Sequence, residues 1–128
     1  MSYNILIVDD SNIVRKVLIK TLNIAGLPIN QIVEAKNGQQ ALDLLKDNWI
    51  DLIFLDINMP IMNGMEFMQH IRESHDYDET PIIIVSTEGS KERQHELFDK
   101  NIKAYLRKPI TPKMLANKIN KILGGQDS

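Results

Sequence analysis

There is no cysteine in the 128 residues, which removes disulfides, zinc–thiolate sites and thiol nucleophiles from consideration. Nor is there an excess of positive charge. Fifteen Lys and Arg stand against seventeen Asp and Glu, a formal net charge of -2. A nucleic-acid binder would show a basic stripe, and this balance speaks against one. Long apolar runs are missing too: near the N-terminus the only one is Ile5 to Val8, too short for a signal peptide or a membrane span. No repeat, low-complexity tract or shift in composition divides the chain. What is present, 43% hydrophobic and 25% charged residues, suits a globular chain long enough to bury a core. The expectation is one soluble, cytoplasmic, monomeric domain over 1–128, with a core at about 3–123, a flexible tail at 124–128 and no output domain.

Short apolar runs alternate with amphipathic stretches. Ile5-Leu6-Ile7-Val8 reads as a strand buried on both faces. From Ser11, Val14, Val17, Leu18, Leu22 and Ala25 fall at helical spacing, and Gly26 is a fitting stop. Ile32 to Ala35 is a second strand, and Ala41, Leu42, Leu44 and Leu45 stripe a second helix. Leu52 to Leu55 is the third strand, followed after Pro60 and Gly64 by a helix with Met65, Phe67, Met68 and Ile71. Ile82 to Val85 is the fourth strand, and Lys91 to Asn101 a mostly polar fourth helix. Ala104 to Leu106 is the fifth strand. Thr111-Pro112 caps a fifth helix striped by Leu115, Ile119, Ile122 and Leu123. Five βα units in succession require a parallel sheet with helices on both faces, an α/β doubly wound fold. Ligands in such sheets bind at the carboxyl ends of the strands.

Those ends carry chemistry. The first strand runs into Asp9-Asp10 and the third into Asp56; the fourth meets Ser86-Thr87 and the fifth Lys108-Pro109. Two carboxylates ~4 Å apart repel by ~4 kcal/mol at an effective dielectric of ~20, so three in one crevice need a proton or a cation. Oxygen ligands without His or Cys favour a hard ion such as Mg2+. Lys108 and a hydroxyl at Ser86 or Thr87 complete a site for a transferring phosphoryl group, with Asp56 as nucleophile. Taken singly, each residue has an ordinary reading as a helix start, a turn, a cap or a surface lysine. Their joint occurrence at four strand ends does not. His70, His75 and His95 form no ligand cluster. Met59 and Met62 read as packing for the acceptor loop, and Trp49 as a packing residue.

Val8-Asp9-Asp10-Ser11, Leu55 to Gly64, Val85-Ser86-Thr87-Glu88 and Tyr105-Leu106-Arg107-Lys108-Pro109 together resemble the response-regulator receiver domain, over essentially the whole chain. The likeness is to stand-alone, chemotaxis-type (CheY-like) members. It implies a flavodoxin-like fold with strand order 2-1-3-4-5. It further implies that Asp56 takes phosphate from a sensor histidine kinase, with Mg2+ (or Mn2+) held by Asp10, Asp56 and the Asn58 carbonyl, and by Asp9 through water. Ser86 would hold a phosphoryl oxygen, Lys108 would pair with the phosphoryl group, and Tyr105 would turn inward as Ser86 moves. Asn58 and Glu88 would tune the loss of phosphate, on a scale of seconds to minutes. The fourth helix, fifth strand and fifth helix would form the readout face for a motility switch component or another protein target. Ser86 stands where Thr is common, Lys100-Asn101 where glycine often ends the helix, and Arg107 adds a positive charge beside the lysine.

The resemblance implies a signalling switch, with no enzyme activity beyond its own autophosphorylation and autodephosphorylation. An alternative within the class is a phosphorelay intermediate that passes phosphate to a histidine phosphotransfer protein. A Mg2+-dependent aspartyl-phosphate phosphatase of haloacid-dehalogenase type would carry its second acid two positions after the nucleophile on the first strand, where Ser11 stands instead. A flavodoxin would place a phosphate where Asp9-Asp10 repels it.

Overall fold

The structure, a computed structural model, describes residues 2–87 and 102–124. The expected fourth helix (Lys91 to Asn101, with His95), Glu88 and the tail beyond Gly124 lie outside the described residues. The elements are β1 (Tyr3–Val8), α1 (Asn12–Ala25), β2 (Ile29–Ala35), α2 (Gly38–Asp47), β3 (Leu52–Leu55), α3 (Gly64–Ser74), β4 (Ile82–Ser86), β5 (Ile102–Arg107) and α4 (Pro112–Ile119). Thus α4 is the helix expected fifth from the sequence. All five strands are parallel in one sheet, in the order β2-β1-β3-β4-β5.

Period-2 alternation divides the core in two. Leu6, Val8, Ile53, Leu55, Ile82 and Ile84, joined by Ile102 across the register irregularity of the β4–β5 pair, face α2 and α3 through Ala41, Leu45, Phe67, Met68 and Ile71. Ile5, Ile7, Leu52, Phe54, Ile83, Val85, Ala104 and Leu106 face α1 and α4 through Leu18, Leu22, Leu115 and Ile119. Both faces of β1, β3 and β4 are therefore apolar, as the continuous runs required.

Helix starts follow their caps. The side chains of Ser11, Asn37, Asn63 and Thr111 accept from backbone N–H groups three residues on, and Asn63 with Glu66 closes a full capping box. Gly26 ends α1 in the left-handed region at φ 83°.

Several expectations need correction. β1, β2 and β5 begin two or three residues earlier than their apolar runs, because the parallel ladder also pairs polar Asn4 and Gln31 and runs on past register irregularities at Asn30 and Lys103. Val17 is 56% exposed. It sits ~100° around the helix from buried Leu18, and the inward positions are taken by Arg15 and Thr21. Trp49 is no packing residue: it is 78% exposed, its indole N–H donating to Asp51. The last helix leaves α geometry after Ile119 for a π-helical turn over Asn120–Gly124. Met59 is buried, with Met62 packed against the same cluster, so both methionines pack the loop after Asp56 as expected.

Candidate functional site

From β1 the chain goes first to β2 on one side and then to β3 on the other. The switch point therefore lies between β1 and β3, where the residues that follow the two strands border one crevice. Asp9 and Asp10 follow β1 and Asp56 follows β3. The backbone N–H of Asp9 donates to Ala35 O and that of Asp56 to Val8 O, so the ladder continues one residue into the acids. One carboxylate oxygen from each of Asp9, Asp10 and Asp56 lies within 4.8 Å of the others. An all-oxygen donor set at that spacing fits a hard divalent cation.

The three acids are not equivalent. Asp9 is buried and engaged on both oxygens, Oδ1 by the Ser11 N–H at 2.9 Å and Oδ2 by Lys108 Nζ at 2.9 Å. Asp10 is exposed. Asp56 is buried, with Lys108 Nζ 3.9 Å from its Oδ1. Burial raises the Asp56 pKa to about 6, helped by the charges of Asp9 and Asp10 and opposed by Lys108 and the Ile57 N–H. Lys108 reaches the site because its N–H extends the β4–β5 pairing to Ser86 O at 2.9 Å.

Ser86 is fully buried at the end of β4, while Thr87 is exposed. Tyr105 is half-buried on β5, in register with Ile84. Asn58 is exposed two residues after Asp56. Gly64 opens α3 against the turn that follows Asp56, donating to Ile57 O, and a Cβ there would lie 2.5 Å from Asp56 O and 2.9 Å from Ile57 Cα. The structure thus brings Asp9, Asp10, Asp56 and Lys108 together and sets Ser86 at the neighbouring strand end. Glu88 lies outside the described residues.

One residue beside the site escaped the sequence reading. Arg15 is 5% exposed and reaches back from α1 to the Asp9 carbonyl. Its signal was present, since a cation in the first turn of a helix opposes the helix dipole and needs a reason to be there.

Residues 5–120 match the family model described as the response regulator receiver domain. The chain is 36% identical over 121 residues to the chemotaxis protein CheY homolog of Campylobacter jejuni, covering 94% of this chain and 92% of that one. It is 37% identical over 123 residues to the autoinducer 1 sensor kinase/phosphatase LuxN of Vibrio harveyi, covering 96% of this chain but 13% of that protein. Among solved structures, the chemotaxis response regulator CheY4 of Vibrio cholerae superposes with a TM-score of 0.83 at 32% identity, over 96% of this chain and 100% of that one. Among the described residues, no helix is long and apolar enough to cross a membrane.

Proposed function

The chain belongs to the response regulator receiver domain family, and from that premise we propose a CheY-like switch that accepts a phosphoryl group on Asp56 and thereby changes its affinity for a protein partner. One observation carries the reading: Asp56, at the end of central β3, has an ammonium group 3.9 Å away and two carboxylates within ligand reach. The donor is a phosphohistidine on a sensor kinase. An Asp56 carboxylate oxygen attacks phosphorus, forming the O–P bond as the N–P bond breaks. The electron pair of the broken bond stays on the imidazole nitrogen, and with the ring's other nitrogen protonated the histidine leaves neutral. Attack needs Asp56 ionised, which holds above its pKa of about 6.

When bound, Mg2+ or Mn2+ at Asp9, Asp10, Asp56 and the Asn58 carbonyl supplies charge that neutralises the transferring group. Lys108, already shared between Asp9 and the edge of Asp56, turns to the phosphoryl oxygens, and the Ser86 hydroxyl donates to another. Drawing Ser86 toward the phosphate opens space that Tyr105 fills, which carries the signal to the β5 surface. A coupling of ~1–3 kcal/mol, or ~5–150-fold in affinity, is the usual size for such a switch. Asn58 and Glu88 flank the path of the water that resets it.

The donor's landing surface adjoins the crevice. A groove of about 230 Å3 is lined by Ile13, Val14, Val17, Pro109 and Ile110 together with Lys108. Ile13 and Val17 are exposed along it. A kinase helix with an apolar face, seated there, brings its phosphohistidine to Asp56.

A role in chemotaxis or motility control is supported by relatives named as chemotaxis proteins, matched over nearly their whole length. The match within LuxN favours a second reading, a relay step that passes phosphate on to a histidine phosphotransfer protein. Neither involves turnover of a separate substrate. Intact mass after incubation with Mg2+ and acetyl phosphate tests the common core. One phosphoryl group should be gained, dependent on Mg2+ and absent in Asp56→Asn; no adduct in the unaltered chain would leave only a receiver fold used as a binding module.

A further inference from the structure

Arg15 closes the first turn of α1, where a cation opposes the helix dipole, and its guanidinium is out of solvent, where an unpaired charge is costly. Both penalties are offset by three acceptors from three parts of the chain. Nη1 donates to the Asp9 carbonyl at 2.7 Å, Nε to Glu34 Oε1 at 2.8 Å and Nη2 to Asn12 Oδ1 at 3.0 Å. Glu34 is on β2, one residue before the Ala35 carbonyl that receives the Asp9 N–H. The guanidinium therefore ties the end of β2, the first turn of α1 and the loop between them into one unit.

The bond to Asp9 reaches furthest. The carbonyl that Arg15 holds belongs to the peptide joining Asp9 to Asp10, so it sets the plane from which Asp10 departs. Asp9 is fixed by its other groups as well: its N–H by Ala35, Oδ1 by Ser11 and Oδ2 by Lys108. Asp10 is exposed, so its direction depends on that peptide plane. With the carbonyl released, the plane can turn, and the Asp10 carboxylate leaves the cluster in which three acids lie within 4.8 Å.

We propose, resting on the phosphoacceptor reading of this crevice, that Arg15 is a positioning residue: through the Asp9 carbonyl, braced by Glu34, it aims Asp10 into the cation site. Its role is distinct from the residues that touch the phosphoryl group, and it acts before any cation or phosphate arrives.

The test uses the full chain with Arg15→Met, Arg15→Lys and Glu34→Gln. Mg2+ affinity is measured by calorimetry, and the amide resonances of Asp10 and Ser11 are compared without metal. Loss of a group that supports a metal ligand from behind weakens binding by ~10–100-fold. Arg15→Met should fall in that range and displace both amide resonances. Arg15→Lys, with one ammonium for three acceptors, should recover part of the affinity. Glu34→Gln, at a side chain 40% exposed and so tolerated by the fold, should weaken Mg2+ a few-fold by loosening the brace. Should Arg15→Met fail to fold, the other two variants decide. Folded variants that melt lower yet bind Mg2+ like the unaltered chain, with Asp10 and Ser11 resonances unmoved, overturn the proposal and leave Arg15 a structural strut. An unaltered chain that binds no Mg2+ overturns the phosphoacceptor reading instead, and the metal-free resonances then still decide whether Arg15 orients Asp10.

Discussion

Lys108 Nζ sits 2.9 Å from Asp9 Oδ2 and 3.9 Å from Asp56 Oδ1, so one ammonium compensates a buried carboxylate while standing at the edge of a second. Replacing it with an apolar side chain of similar length has two consequences. Breaking a buried pair from one side costs ~3–5 kcal/mol; with Lys108 19% exposed, the low end, about 3 kcal/mol, is expected for Lys108→Met. The Asp56 carboxyl should also titrate higher, because Lys108 is the cation that holds it down. Urea unfolding checks the first and a carboxyl 13C titration the second. An Asp56 titration unmoved by the change would mean that Lys108 serves Asp9 alone.

The raised Asp56 pKa makes stability depend on pH in a definite direction. Folding lifts the value from 3.8 to about 6, so between those values the folded chain holds a proton that the unfolded chain has released. Stability therefore falls as pH rises through that window and stays lowered above it. The full penalty is about 2–3 kcal/mol. Asp56→Asn removes the charge, so the variant should be more stable than the parent by about that amount at pH 7.5 without Mg2+, and by almost nothing at pH 3.5. Mg2+ should narrow the gap by stabilising only the parent. Denaturant midpoints at the two pH values, with and without Mg2+, test all three; an equal difference at both pH values contradicts the burial of an ionised Asp56.

Gly64 is where the turn after Asp56 tolerates no side chain. The atoms that an added methyl would meet are backbone, the carbonyl oxygen of Asp56 and the Cα of Ile57, and neither can swing away as a rotamer does. Gly64→Ala should destabilise the chain by ~1–3 kcal/mol and slow phosphorylation by acetyl phosphate, since any relaxation moves Asp56 itself. Unfolding and the rate of adduct formation, measured together, would refute this if stability fell while the rate held.

In the same turn, Ile61 is held at φ 69° while 82% exposed. A β-branched residue is strained in the left-handed region, and there is little packing to lose. Ile61→Asn should raise stability by about 1 kcal/mol, read as a higher urea midpoint; a lower midpoint would show that the isoleucine has packing contacts that outweigh the strain.

The sheet and its helices were legible because parallel strands covered on both faces must be continuously apolar, and Ile5 to Val8, Leu52 to Leu55 and Ile82 to Val85 are. The acids and Lys108 were legible for a related reason: in this topology, whatever follows a strand borders the crevice. Interactions that depend on pairing between distant elements were not. Nothing local to Arg15 announces Glu34 across the sheet edge, and nothing near Lys108 says that Asp9, 99 positions away, is its first partner. Val17 and Trp49 are apolar yet exposed. A helix buries one stripe, so a residue beside it, as Val17 is, can be apolar and face outward, and Trp49 beyond the α2 cap is held by its N–H on Asp51 rather than by packing.

That outward Val17 leads to the last expectation. With Ile13 it borders the groove that Lys108 also lines, and no acid of the cluster lines that groove. A charge introduced there should leave folding and the acceptor chemistry alone while opposing an apolar donor helix. Val17→Glu should therefore match the parent in unfolding and in phosphorylation by acetyl phosphate, yet take phosphate from its kinase at least tenfold more slowly, because desolvating a carboxylate at an interface costs more than the ~1.4 kcal/mol that a factor of ten represents. A time course with each donor separates the cases. Equal slowing with both would mean that the substitution distorts the crevice, and equal speed with both would move the kinase to another face.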